Sequence, residues 1–122
     1  MTPAQINKLS EICYEITRKY ALTVKDGVRP IPWDQLPTEE KLDVRNRVEL
    51  LLSNPLLAPE QLHEKWLDQK TRQGWVYSHK VDEARKTHPR MRRYTDLNNH
   101  QRFKDEVFHS VVKAAALGDL PG

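Results

Sequence analysis

A single cysteine, Cys13, stands in 122 residues, so no intramolecular disulfide framework can form and a reducing compartment is expected. Glycine is almost as scarce, with four residues. That argues against backbone phosphate cradles of the Gly-x-Gly-x-x-Gly or Walker type, and neither motif occurs. No apolar run approaches the roughly 18–20 residues that span a bilayer. The opening MTPAQINKLS lacks a charged region leading into an apolar one, so no signal peptide is expected. Charge of one sign is lacking too, since 20 Lys and Arg face 17 Asp and Glu for a net +3. No Gly-x-Ser-x-Gly elbow is present. His63-Glu64 begins like the zinc motif HExxH, but position 67 is Leu. With scattered histidines and one cysteine, neither a metal nor a cofactor is expected. The expectation is one soluble, cytoplasmic, non-enzymatic domain.

What is present is helical patterning. Thr2-Pro3 reads as a helix start, and Ile6, Leu9, Ile12, Cys13, Ile16 and Tyr20 recur at helical spacing to a stop near Leu22. Lys25-Asp26-Gly27 reads as a turn, and Arg29-Pro30-Ile31-Pro32 must be extended. A second helix follows Pro37-Thr38, with Glu39 and Glu40 at its positive end; Leu42, Val48, Leu51 and Leu52 are expected to face inward. A third runs from Pro59 through Leu62, Trp66 and Leu67 to Gly74. Trp75-Val76-Tyr77 is expected to be extended, and residues 78–93 a long loop with a helical turn around Asp82–Arg85. Asn98-Asn99 caps a last helix carrying Phe103, Val107, Val111 and Ala114.

The two halves echo one another. Tyr14-Glu15 corresponds to His63-Glu64, and Trp33-Asp34-Gln35-Leu36 to Tyr94-Thr95-Asp96-Leu97. Hence the expected fold is mainly α: two pseudo-symmetric helix–arm–helix repeats packed as one domain, with a short β-hairpin or extended arms. Residues 1–57 form the first repeat, 58–118 the second, and 119–122 a tail. A ligand cleft would lie between the halves.

Residues 62–97 concentrate the rare side chains: His63, Glu64, Trp66, Gly74, Trp75, Tyr77, Asp82, Lys86, His88, Pro89, Tyr94 and Leu97. This run resembles the RyR domain, the repeat named from ryanodine receptors, whose pattern is His-Glu-x-Trp, Gly-Trp-x-Tyr-Gly, Asp, Lys-x-His-Pro and Pro-Tyr-x-x-Leu. The match covers about residues 60–115, and the first half is similar to the divergent partner repeat of small phage and bacterial members. Three departures stand out: Ser78 in place of glycine, Arg90-Met91 where Cys-Leu is common, and Arg93 where proline is expected.

The resemblance implies an α-helical repeat pair that binds an adenine-nucleotide or NAD-derived ligand, such as ADP-ribose, and serves as a phage or prophage sensor or sponge. It places Trp66 against the base and Lys70, one turn on, toward the phosphates. Around them the candidate contacts are Arg18, Tyr14, His63, Trp75, Tyr77 and Arg93. Each has a plainer reading. Trp66 falls on the core spacing of its helix, Trp75 can pack the extended arm, and Tyr77 can do either. Arg18 can be a solvated helix residue, and Arg93 a solubilising one. His63-Glu64 can make hydrogen bonds between repeats, mirrored by Tyr14-Glu15. Asp34 and Asp96 suit turn amides. The alternatives are a protein-interaction or structural accessory domain meeting a host or phage protein, and nucleic-acid binding through the basic 78–93 loop. Modest net charge argues against the last.

Overall fold

Among the described residues, three of the four α-helices begin with the same device, a glutamine at the third helical position reaching back to the cap. In the computed structural model, which describes residues 1–24 and 30–118, Gln5 accepts from the Thr2 amide at 2.8 Å, Gln61 from Ala58 at 2.8 Å and Gln101 from Asn98 at 3.1 Å. Thr2 and Asn98 return the bond through their own side chains, completing capping boxes. The helices are α1 (Pro3–Thr23), α2 (Thr38–Ser53), α3 (Pro59–Arg72) and α4 (Asn99–Ala116). Gly74, at φ +91°, lets the chain leave α3, with the Trp75 amide bonded to Lys70 O at 3.0 Å and the Gly74 amide to Thr71 O at 3.0 Å.

Helix α4 packs against α1, α2 and α3, and α1 also packs on α2. The core is built from Leu9 and Cys13 of α1, Trp33 and Leu36 of the first arm, Val44, Val48 and Leu51 of α2, Leu62 of α3, and Phe108 and Val112 of α4. Burial pushes the Cys13 thiol up to about 12, so it behaves as a small hydrophobe rather than a nucleophile. Among the described residues no helix is long and apolar enough to cross a membrane.

The inward faces differ from the expected ones in three helices. Leu42 is exposed, and Val44 takes its place one turn before Val48. On α4 the buried face is Gln101, Lys104, Asp105, Phe108 and Val112, whereas Phe103 is 46 % exposed. Polar residues occupy the first two turns of that face, so an apolar stripe points to the wrong side. On α1, Ile12 and Ile16 are each 41 % exposed. Instead of a hairpin, β1 (Val76–Tyr77) pairs in parallel with β2 (Thr87–His88), and Asp82 bridges Thr87 in the opposite sense. The intervening chain therefore loops back, closing through a turn at Lys86, whose φ is +54°. The turn expected at Lys25-Asp26-Gly27, Arg29 and the 119–122 tail lie outside the described residues.

Candidate functional site

Each half carries the same small constellation. A 3-10 turn at Trp33–Gln35 follows the first arm, and another at Tyr94–Asp96 follows the second. Glu15 Oε1 accepts the Trp33 amide at 2.9 Å, and Glu64 Oε1 accepts the Tyr94 amide at 3.0 Å. Tyr14 donates to Ile31 O at 2.5 Å, and His63 Nε2 donates to Arg92 O at 2.6 Å. The rings then meet, Tyr14 with Trp33 at 5.6 Å and His63 with Tyr94 at 6.0 Å. These bonds lie within each half rather than between halves as expected. The helix glutamates, not Asp34 and Asp96, satisfy the turn amides. The Trp33 amide holds the Glu15 carboxyl below its usual range, with Arg18 adding to it.

Trp66 is half-buried at the centre of an aromatic and cationic cluster. His63 stacks on it at 5.6 Å, His88 meets it edge-on at 5.8 Å, and the Arg90 guanidinium lies 5.2 Å from its ring. The indole also walls a recess of about 60 Å³ between α2 and α3, with Asp43, Asn46, Arg47, Lys65 and Gln69. Lys70 is tied across this seam to Asp43 at 2.6 Å and leans 5.2 Å over Trp75. It is not a free cation.

Four cations converge on His88. Burial, then Arg90, Lys104, Lys70 and Arg47, push its pKa down to about 3, so the ring is neutral at neutral pH. Arg47 is lowered to about 10 by its own burial and by Arg90, while Asp105 and Asp43 oppose the shift. Its guanidinium lies 4.5 Å from the Phe108 ring. Arg90 is paired with Asp105, whose second oxygen is 3.8 Å from His63 Nδ1. The Nε atoms of Arg47 and Arg90 are buried without a hydrogen-bond partner. Arg47, Asp43, Lys104 and Asp105 were not singled out by sequence. A signal for two of them is present: Arg47 neighbours Val44, Val48 and Leu51, and Asp105 precedes Phe108 and Val112 at helical spacing.

Beside this cluster, desolvation raises Glu40 to about 7, helped by a hydrogen bond to the Glu83 carboxyl. Because the folded state holds this proton more tightly than the unfolded chain, the stabilisation is complete below about pH 4.5 and lost as pH rises through about 7. Glu40→Gln should therefore stabilise the protein by about 1 kcal/mol at pH 8, after discounting for solvent screening, and have no effect at pH 4. Urea unfolding at the two pH values checks this; equal effects at both would refute it.

The eight expected contact residues fall into three groups. Tyr14 and Arg18 stay with the first 3-10 turn, Arg18 bonded to Glu15 at 2.7 Å. His63, Trp66, Lys70 and Trp75 gather around α3. Tyr77 and Arg93 belong to β1 and the second arm, near an opening of about 380 Å³. The basic run is largely engaged within the fold: Arg85 faces Asp82 at 3.8 Å, Lys86 donates to Gln73 O at 2.8 Å, Arg90 pairs with Asp105, and Arg92 lies 3.9 Å from the Tyr77 ring. Among the described residues no group of His, Cys, Asp or Glu is arranged to hold a metal ion.

No curated protein matches the chain. The RyR domain family profile matches residues 52–116, from the end of α2 to the last residue of α4 and over more than half the sequence. The segment includes the Trp66 cluster, both strands, the second 3-10 turn and the helix that supplies Asp105, and on that match the chain belongs to the RyR domain family.

Proposed function

We propose that the chain is a non-enzymatic binding module for an adenine-nucleotide or NAD-derived ligand, held at the α2–α3 seam with its base against Trp66. In a phage or prophage setting such a module serves as a sensor or sponge. One observation carries this reading: Arg90 lies 5.2 Å from the Trp66 ring and Arg47 lines the same recess, with Lys70 at the seam, opposed by Asp43 and Asp105. An aromatic face beside excess positive charge suits a base joined to phosphates. The recess of about 60 Å³ is well below the ~300 Å³ at which small-molecule pockets begin. Entry therefore requires the Lys70–Asp43 bridge to part, which frees Lys70 for phosphate.

Calorimetry with ATP, ADP-ribose and cyclic ADP-ribose tests the reading. Binding of at least one is expected, weakened by about tenfold or more in Trp66→Leu, as loss of a stacked base predicts. The ligand should be recovered chemically intact. Absence of heat with all three at high protein concentration sinks the proposal, and turnover sinks its non-enzymatic part.

A protein-interaction role is the second reading. It is favoured by Ile12 and Ile16, exposed one turn apart on α1, and by Phe103, exposed where it packs 5.0 Å from Tyr20. Nucleic-acid binding is disfavoured, because Arg85, Lys86 and Arg90 already have partners within the fold.

A further inference from the structure

We propose that the opening beside β1, the second 3-10 turn and the start of α4 is a separate binding site, for a small sugar phosphate carrying free hydroxyls. It is a half-open depression of about 380 Å³, lined by Tyr77, His79, Arg92, Asp96, Asn98 and Gln101. That volume lies in the range of small-molecule pockets, and no residue of the seam recess contributes to it.

Three features make it a site for an anion. Arg92 is pinned at its backbone, where its carbonyl accepts from His63 Nε2 at 2.6 Å, while its guanidinium lies 3.9 Å from the Tyr77 ring. Among the described residues that guanidinium has no carboxylate and no hydrogen-bond acceptor. Arg85 and Arg90 of the same basic run each have an aspartate. A planar fork left unpaired on an aromatic face is suited to a phosphate.

The second feature is Gln101, which is 4 % exposed. Its Oε1 is committed to the Asn98 amide at 3.1 Å, and its own amide is bonded to Asn98 Oδ1 at 2.8 Å. Its carboxamide NH₂ has no acceptor among the described residues, and the residue borders the opening. The donor is held in place by the cap and faces the opening, so an incoming acceptor oxygen finds it already oriented. The third feature is the start of α4, an 18-residue helix with no acidic side chain in its first turn. Its positive end is therefore not offset from within. Asp96 sets the other half of the specificity: a carboxylate in the lining repels a second anion and accepts from a hydroxyl. The Tyr77 ring offers a face for the sugar.

The proposal does not depend on the Trp66 reading, and a nitrogen-15 NMR titration separates the two. Ribose 5-phosphate is the probe and ribose its uncharged control. The sugar phosphate is expected to shift the side-chain NH₂ signals of Asn98 and Gln101 and the His100 amide saturably at millimolar concentrations, leaving the Trp66 indole N–H unmoved. Ribose should shift none of them. Arg92→Gln and Gln101→Glu should each weaken binding by about tenfold or more, the value of one charge-assisted hydrogen bond. Gln101→Glu keeps the acceptor that caps Asn98, so helix α4 is preserved, and the amide spectrum of α1 and α2 reports the fold of both variants. Absent shifts, equal shifts with ribose, movement confined to the Trp66 indole, or undiminished binding by folded Arg92→Gln would each overturn it.

Discussion

Asp105→Ala is expected to lower the free energy of unfolding by about 3–5 kcal/mol, the usual cost of removing one partner from a buried ion pair. The Asp105 side chain is 7 % exposed and that of its partner Arg90 15 %. Without the carboxylate, Arg90 remains beside Arg47 and His88, with the Asp43 carboxylate committed to Lys70. The buried Nε atoms of Arg47 and Arg90 already lack partners, so a rotamer change has few internal acceptors to find. The loss should therefore come from stranded positive charge more than from lost attraction. Two comparisons separate these contributions. Asp105→Asn keeps the shape and removes the charge, and should cost nearly as much as Asp105→Ala. The double variant Asp105→Leu, Arg90→Met should recover most of the stability, because replacing a buried pair by apolar groups is often neutral. Urea unfolding followed by circular dichroism gives all three values. A loss below about 1 kcal/mol for Asp105→Ala would show that the pair behaves as a solvated one.

The helices were legible because their signals are local. Thr2-Pro3, Pro59, Asn98 and the exit at Gly74 each act within a few residues, and each is found where the sequence placed it. The failures share one cause. Binary patterning assumes that the buried face is apolar, and on α4 it begins with Gln101, Lys104 and Asp105. Phe103 and Val107 were therefore assigned the interior that Phe108 and Val112 occupy.

Charge pairing across the chain was equally invisible. Nothing near Lys70 announces Asp43, which is 27 residues away in α2. Arg90 departs from the family pattern, and its inward role depends on an aspartate 15 residues later. The family pattern located Trp66 as the centre of the candidate site, but it did not disclose that His63, His88 and Arg90 surround the indole. A short strand pair was expected, but its parallel orientation was not legible, for a different reason. Two residues per strand carry too little pattern to fix orientation, and the parallel register depends on the closing turn at Lys86.

Trp33→Ala should cost about 3–5 kcal/mol, the range for deleting a buried aromatic side chain, whereas Tyr94→Ala should cost roughly 1–2 kcal/mol because less apolar area is withdrawn from water. The two residues begin equivalent 3-10 turns and have equivalent amide bonds, to Glu15 and to Glu64. Their surroundings diverge. Trp33 is 5 % exposed, packed on Tyr14 at 5.6 Å and joined to the hydrophobic core, with Lys41 Nζ 5.5 Å above its ring. Tyr94 is half-buried and meets His63 at 6.0 Å, on the side where Trp66, Arg92 and the larger opening lie. One turn thus anchors the core and its counterpart borders the candidate binding surfaces. Matched substitutions at the two glutamates keep the comparison independent of ring size: Glu15→Gln and Glu64→Gln retain an acceptor for the turn amide and should each cost well under the Trp33 loss. Thermal and urea unfolding supply the four values. Equal losses for Trp33→Ala and Tyr94→Ala would mean that both turns carry the core alike, and the division of labour between the halves would have to be abandoned.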